Sequence, residues 1–242
     1  MKITVLGIDF DNLTLQEAVA AAMACLAEEK SSYAVTPNPE IIKLAQENPA
    51  LAQAIAGAAL VLPDGIGVVK AAQILRTPLK EKVPGIDFAG GLMAEMAVSG
   101  QRLYLMGAKP GVAAAAAEKL AQQYPGLHIC GCRDGYFQQD ESEAVAAEIH
   151  SSGADVCFVC LGSPRQELWM AEHGAASGAK LLVGLGGSLD VFSGQLKRAP
   201  RWMQKAGLEW LYRLMKEPQR LGRMMKIPGV ILQAYAERGR SR

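Results

Sequence analysis

The 242-residue chain contains no unbroken run of about 18 apolar residues, the length a helix needs to cross a bilayer. That argues against a membrane-spanning segment. The opening MKITVLGIDFDN carries too short an apolar run for a signal peptide. Histidine is scarce: His128, His150 and His173 are scattered, and no Ser/His/Asp or Cys/His set suggests itself. The five cysteines are few and odd in number, which fits reduced thiols in a cytoplasm. Cys130-x-Cys132 and Cys157-x-x-Cys160 have spacings that invite zinc. However, DVCFVCLG reads as a buried strand, and positions three apart on a strand point to opposite faces. Small apolar core residues are the plainer reading. There is no internal repeat, and no low-complexity segment beyond the helical Ala113–Ala117. The glycine fingerprint of dinucleotide-binding turns is also missing.

A charge of one sign is scarce in each part of the chain, although the net charge is only +1. Residues 195–242 carry twelve Lys and Arg against three Asp and Glu, a net +9. Residues 1–194 carry thirteen against twenty-one, a net −8. An acidic body with a basic tail points to an anionic partner for the tail, either nucleic acid or a membrane surface.

What is present is an alternation of short β-type runs and helical runs. Ile3–Ile8 reads as a strand, and Thr14-x-x-Glu17 as a capping box that opens a helix to about Lys30. Ser32–Val35, Ala59–Leu62, Leu103–Met106, Leu127–Cys130, Val156–Leu161 and Lys180–Val183 read as further strands. All but the last lead into a helix. The pattern predicts an α/β fold: a mostly parallel, Rossmann-like sheet with helices on both faces.

Such sheets bind ligands outside the carboxyl ends of their strands, and five polar clusters fall there. In Thr36-Pro37-Asn38-Pro39, Asn38 is a good helix cap and Pro39 a good first-turn residue. Capping explains Thr36 less well. In Pro63-Asp64-Gly65, Asp64 is either a turn cap or a carboxylate placed as a general base. Gly107-Ala108-Lys109-Pro110-Gly111 precedes an Ala-rich helix; Gly107, Lys109 and Gly111 suit either a strand-to-helix turn or a phosphate. Ser163 and Gln166 fit a capping box, yet Arg165, Gln166 and Glu167 form a dense polar group. Gly184-Leu185-Gly186-Gly187-Ser188-Leu189-Asp190 is a glycine-rich turn that includes Gly187 and Asp190. Asp9-Phe10-Asp11 resembles a metal-holding pair of nucleotide-sugar transferases, but its place before the Thr14 cap favours a solvated loop.

Beyond Gly194 the character changes, and residues 195–242 read as a helical appendage to a 1–194 α/β domain. Leu208, Leu211, Tyr212 and Met215 lie on one helical face. They mix with Trp202, Trp210, Arg213, Arg220 and Arg223. Pro218 and Pro228 are expected to break the segment into short helices.

Taken in order, the motifs TPNPEII, LPDGIGVV, KVPGID, YLMGAKPGV, CLGSPRQELW, GLGGSLDVFSGQLKRAPRW and LEWLYRLMKEPQR resemble the WecG/TagA/CpsF family, glycosyltransferase family 26. The likeness covers nearly the whole chain. It implies transfer of an N-acetylhexosamine, often N-acetylmannosamine or its uronic acid, from a UDP-sugar donor. The implied acceptor is N-acetylglucosaminyl-diphospho-undecaprenol at the inner membrane face, for teichoic acid, common antigen or capsule synthesis. It also implies an inverting, metal-independent reaction with no cofactor. Asp64 matches the family's proposed base, while Thr36, Asn38 and Gln166 match its pocket residues. Arg213, Arg220 and Arg223 match basic residues that approach the diphosphate. Lys82 stands where the family pattern leads one to expect arginine, keeping the charge but losing the bidentate fork.

Two rival readings are a nucleotide-dependent oxidoreductase and a nucleic-acid-binding protein. The absent fingerprint argues against the first. Trp, Leu and Met interleaved with the tail's basic residues favour an anionic lipid surface over nucleic acid. The sequence is compatible with a monomer or a homo-oligomer.

Overall fold

A computed structural model describes residues 1–216 and 226–240. The described residues form twelve α-helices and eight strands, numbered in chain order. Six strands form one parallel sheet: β3 (Ser32–Val35), β4 (Leu60–Val61), β5 (Arg102–Gly107), β6 (His128–Arg133), β7 (Val156–Cys160) and β8 (Leu181–Gly184). Their spatial order is β4-β3-β8-β7-β5-β6, and every pairing is parallel. The sheet alternates its side chains between two cores. On β7, Cys157 and Val159 join one cluster, while Val156, Phe158 and Cys160 join the other. The two cysteines therefore face opposite sides, as the strand spacing predicts.

The first core lies under α2 (Pro39–Glu47), α3 (Pro49–Ala56), α4 (Ile66–Ile74), α7 (Ser142–Ser152) and α8 (Arg165–His173). The second lies under α1 (Leu15–Cys25), α5 (Gly85–Ser99), α6 (Val112–Gln123) and α9 (Ser188–Phe192). The chain leaves β5 outward to β6 but leaves β7 inward to β8. The carboxyl ends of β5 and β7 thus form the topological switch point, the usual position for a ligand crevice.

Three local readings are corrected. Ile3–Ile8 is not one strand but the first half of an antiparallel hairpin, β1 (Lys2–Val5) with β2 (Ile8–Asp11). Its turn is Leu6-Gly7, both at positive φ, and leucine is an unusual choice there. Asp9 and Asp11 therefore sit in a strand, not a solvated loop. Phe10 is fully buried, and Asp11 Oδ2 accepts the Val61 amide at 2.9 Å, joining the hairpin to β4. The α1 helix has the expected Thr14–Glu17 capping box but stops at Cys25, short of Lys30.

The third correction concerns the tail, which forms α10 (Arg201–Lys205), α11 (Glu209–Lys216) and α12 (Lys226–Arg240). Pro228 does not break a helix. It lies in the first turn of α12, where its missing N–H costs little. Pro218 lies outside the described residues. The α12 helix packs against α4 and α2, and its Val230 and Ala234 are completely buried in the first core. Met215, which the sequence places on one helical face with Leu208, Leu211 and Tyr212, is exposed.

Burying a carboxylate in this contact should be costly, whereas the outer face of the same helix should tolerate one. Val230→Asp is expected to lower stability by more than about 3 kcal/mol. Leu232→Asp, at a site 70% exposed, should change it by less than about 0.5 kcal/mol. Urea titration of both variants checks the pair; equal losses would show that α12 is not part of the core.

Candidate active site

All five polar clusters lie at the carboxyl end of the sheet, where they surround two cavities. The smaller cavity, about 160 Å³, is lined by Asn38, Asp64, Lys82, Gly187, Glu209 and Trp210, among others. Asn38 and Asp64 meet there for identifiable reasons. The Asp64 amide donates to the Pro37 carbonyl at 3.1 Å, which couples the β3 and β4 loops. Gly65, at φ +93°, turns the chain directly into α4. Gly67 lets α4 approach α2: a Cβ there would stand 2.6 Å from the Pro39 ring.

Asn38 caps α2, its Oδ1 accepting the Ile41 amide at 3.0 Å. A second Asn-Pro pair, Asn48-Pro49, makes the same cap on α3 at 3.1 Å but does not line the cavity. The capping role is thus a local property of the dipeptide, and what distinguishes Asn38 is its position on the cavity wall. At α4, by contrast, the N-cap position belongs to Gly65, and Asp64 stands one residue before it.

Thr36 and Gln166 are buried, at 7% and 2% exposure, and hold backbone. Thr36 Oγ1 donates to the Gly184 carbonyl at 3.2 Å, and Gln166 Oε1 accepts the Gly186 amide at 2.9 Å. Together they set the glycine turn after β8. The capping box expected of Ser163 and Gln166 does not form: α8 starts at Arg165 with Pro164 at the cap position and no side-chain cap. Gln166 Nε2 donates to Glu167 Oε1 at 2.9 Å. Glu167 is 1% exposed, and burial holds its carboxyl above the ordinary 4.5 despite that donor.

The larger cavity, about 910 Å³, lies at the switch point and is lined by Lys109, Tyr136, Phe137, Arg165, Cys160 and Asp190, among others. Gly107 lets β5 and β7 close tightly, since a Cβ there would overlap the Cys160 carbonyl. Gly111, at φ +81°, starts α6. The loop's Ala108 and Val112 amides donate to Cys160 and Lys109 carbonyls, at 3.2 and 3.0 Å, and Lys109 is exposed on the wall. Arg165 binds the Gly135 and Phe137 carbonyls at 2.8 and 2.6 Å, bracing the loop that presents Tyr136. Two guanidiniums approach the Phe137 ring, Arg165 at 4.3 Å and Arg133 at 5.1 Å. Burial pushes the Cys160 thiol up to about 12, so it stays protonated and is no nucleophile.

The glycine turn separates the two cavities: Gly187 lines the smaller and Asp190 the larger, and a Cβ on Gly187 would stand 3.5 Å from Asp190 Oδ2. The sequence reading missed Tyr136-Phe137 and Arg198, and it named Trp210 only as a tail aromatic, whereas Trp210 lines the smaller cavity. The aromatic pair follows β6 at its carboxyl end, a position that could have drawn notice. Arg198 gave no local signal, because both of its partners are distant in sequence. Arg213 lies on α11, while Arg220 and Arg223 lie outside the described residues. Among the described residues, no cluster of three or more His, Cys, Asp or Glu is placed to hold a metal, and no helix is long and apolar enough to cross a membrane.

Glu167 provides a pH test. Its native-state carboxyl titrates above the unfolded 4.5, so the native state keeps the proton longer. The stability this gives is complete below 4.5 and is lost as pH rises through the native value. Glu167→Gln stays neutral and can still accept from Gln166. Its melting temperature should match wild type at about pH 4 and exceed it by a few degrees near neutrality. A pH-independent difference in thermal scans would contradict this environment for Glu167.

The Staphylococcus aureus N-acetylglucosaminyldiphosphoundecaprenol N-acetyl-beta-D-mannosaminyltransferases of strains MRSA252, MW2 and NCTC 8325 are each 36% identical to this chain over 229 residues. That alignment spans 94% of this chain and 89% of each relative. The family model for glycosyl transferases of the WecG/TagA/CpsF type matches residues 3–242. With its cavities at the carboxyl end of a parallel sheet, the chain belongs to the WecG/TagA/CpsF glycosyltransferase family.

Proposed function

We propose that this glycosyltransferase moves N-acetylmannosamine from a UDP-sugar to N-acetylglucosaminyl-diphospho-undecaprenol, with inversion and without a metal, for teichoic acid or a related surface polymer. The observation that carries the proposal is the pair of cavities sharing one glycine turn. The larger has the size and mixed lining of a ligand pocket and suits the nucleoside diphosphate. The smaller suits a sugar ring beside Asp64. The names of the Staphylococcus aureus relatives support the choice of sugar and acceptor. A second donor, the uronic acid form or another UDP-hexose, fits the same geometry in antigen or capsule synthesis.

In this reading the acceptor's C4 hydroxyl attacks the anomeric carbon in line, and Asp64 accepts its proton. Asn38 faces the sugar from the opposite loop. Thr36, Gln166 and Glu167 act one layer back, by fixing the turn between donor and acceptor. The UDP leaving group gains negative charge as the bond breaks. Lys109 and the amino end of α6, opened by Gly107 and Gly111, are placed to stabilise it. Arg165 braces the loop above the nucleoside, and Gly187 and Asp190 lie beside the ribose. Residues 195–242 form the appendage, resting on the inner face of the membrane through Trp202 and its neighbours. Arg213, Arg220 and Arg223 reach for the acceptor diphosphate.

Asp64→Asn is nearly isosteric and removes the base. It should fold normally and lose about 10²–10⁴-fold in transfer rate. The assay follows UDP release from UDP-N-acetylmannosamine with a lipid-linked N-acetylglucosaminyl diphosphate acceptor. Turnover within about threefold of wild type would remove Asp64 from the mechanism. In the same assay EDTA should leave the wild-type rate unchanged; abolition by chelator with rescue by magnesium or manganese would instead require a metal.

A further inference from the structure

Arg198 bridges two elements that both wall the smaller cavity. Its Nη1 and Nη2 grip the two carboxylate oxygens of Asp87, the Nη2 contact at 2.8 Å, while Nε donates to Glu209 Oε1 at 2.8 Å. Asp87 sits in the first turn of α5, beside the cavity-lining Gly85 and Ile86. Glu209 opens α11 and lines the cavity together with Trp210. One planar guanidinium therefore spans both walls, using the fork geometry that lysine lacks. All three side chains are partly shielded, with exposures of 21%, 34% and 19% for Arg198, Asp87 and Glu209. The contact is thus less screened than an exposed ion pair. The guanidinium proton is held more tightly than usual, first by Asp87 and then, against burial, by Glu209. A neighbouring contact works in the same direction: Lys82 Nζ donates to the Gln204 carbonyl at 2.9 Å, at the end of α10.

We propose that Arg198 is a positioning residue for sugar transfer: by clamping Asp87 to Glu209 it fixes α11 and Trp210 as one wall of the cavity that holds Asp64. It also neutralises Glu209, whose charge would otherwise face an incoming diphosphate. The proposal rests on the two-cavity reading above, and it separates the cavities experimentally. The described part of α11 contributes no residue to the larger cavity. Loss of the clamp should therefore affect the acceptor and leave nucleotide binding intact.

The test uses the full chain. Arg198→Ala should lower kcat/KM for the lipid-linked N-acetylglucosaminyl diphosphate by about 10–100-fold, as a misplaced wall would. The affinity for UDP, measured by calorimetry, should stay within about twofold, because no contact to the larger cavity is changed. Arg198→Lys keeps the charge but cannot span both acids, and should recover only part of the loss. Adding Glu209→Gln to Arg198→Ala should restore some activity, since it removes the carboxylate left without its partner; a purely structural lesion would worsen. Hydrogen exchange supplies an arm independent of turnover: amides of 209–216 should exchange faster in Arg198→Ala, with those of β7 and β8 unchanged. Unaltered exchange in 209–216, an unchanged acceptor kcat/KM, or additive losses in the double variant would each overturn the clamp. If the wild type transfers no sugar yet exchange responds as described, the clamp stands and the assigned reaction is what fails.

Discussion

The hydrogen bond from the Gly186 amide to the Gln166 side chain, with its companion from Thr36 to the Gly184 carbonyl, fixes the turn on which the site depends. Backbone groups leaving a buried strand need partners, because an unpaired one costs about as much as a lost hydrogen bond. At the end of β8 those partners are side chains from the loop after β3 and from α8, two different parts of the fold. The turn is consequently tied to both flanks of the sheet. Since Gly187 lines one cavity and Asp190 the other, its conformation sets the separation between them. Glu167 extends the same arrangement: its buried carboxylate accepts the other end of the Gln166 amide and so fixes which way that amide points.

The parts of this architecture that were legible in the sequence are those coded locally. Strand runs, the Thr14 capping box and the Asn38-Pro39 helix start are each written within a few residues, and the structure has them. Asn48-Pro49 explains why the same signal could not decide function. Two identical dipeptides make identical caps, and only tertiary contacts, the Asp64 amide on the Pro37 carbonyl and the Gly67 approach of α4 to α2, place one of them beside Asp64. The Leu6-Gly7 turn was missed because leucine at positive φ carries no turn signature. Arg198 was missed for a different reason: Asp87 lies 111 residues away and Glu209 lies 11 away. Its role is entirely tertiary.

The charge split between body and tail also reads differently once partners are known. A net +9 in residues 195–242 suggests an outward-facing basic surface. Some of that charge is turned inward, since Arg198 is committed to Asp87 and Glu209. Lys216 lies 6.0 Å from the Tyr212 ring, a cation–π contact that leaves its ammonium near the surface. A basic tail can therefore serve two uses in one segment: part joins it to the acidic body, and the remainder is what the proposed function assigns to an anionic surface. Composition alone cannot divide them, because both uses call for the same residues.

The last helix links these uses to the chemistry. The α12 helix packs against α2 and α4, the two helices whose amino ends carry Asn38 and follow Asp64. Val230 and Ala234 are buried among the residues that seat those helices on the sheet. Near Gly67 the contact is close enough that a Cβ would meet Ile227 at 3.4 Å as well as Pro39. Packing of this density transmits displacement rather than absorbing it. A shift of α12 would thus be felt at the starts of α2 and α4, within a turn of the two polar residues on the cavity wall. The α12 helix is in this sense a third layer over the first core, and the separation of Asn38 from Asp64 depends on it as well as on the sheet.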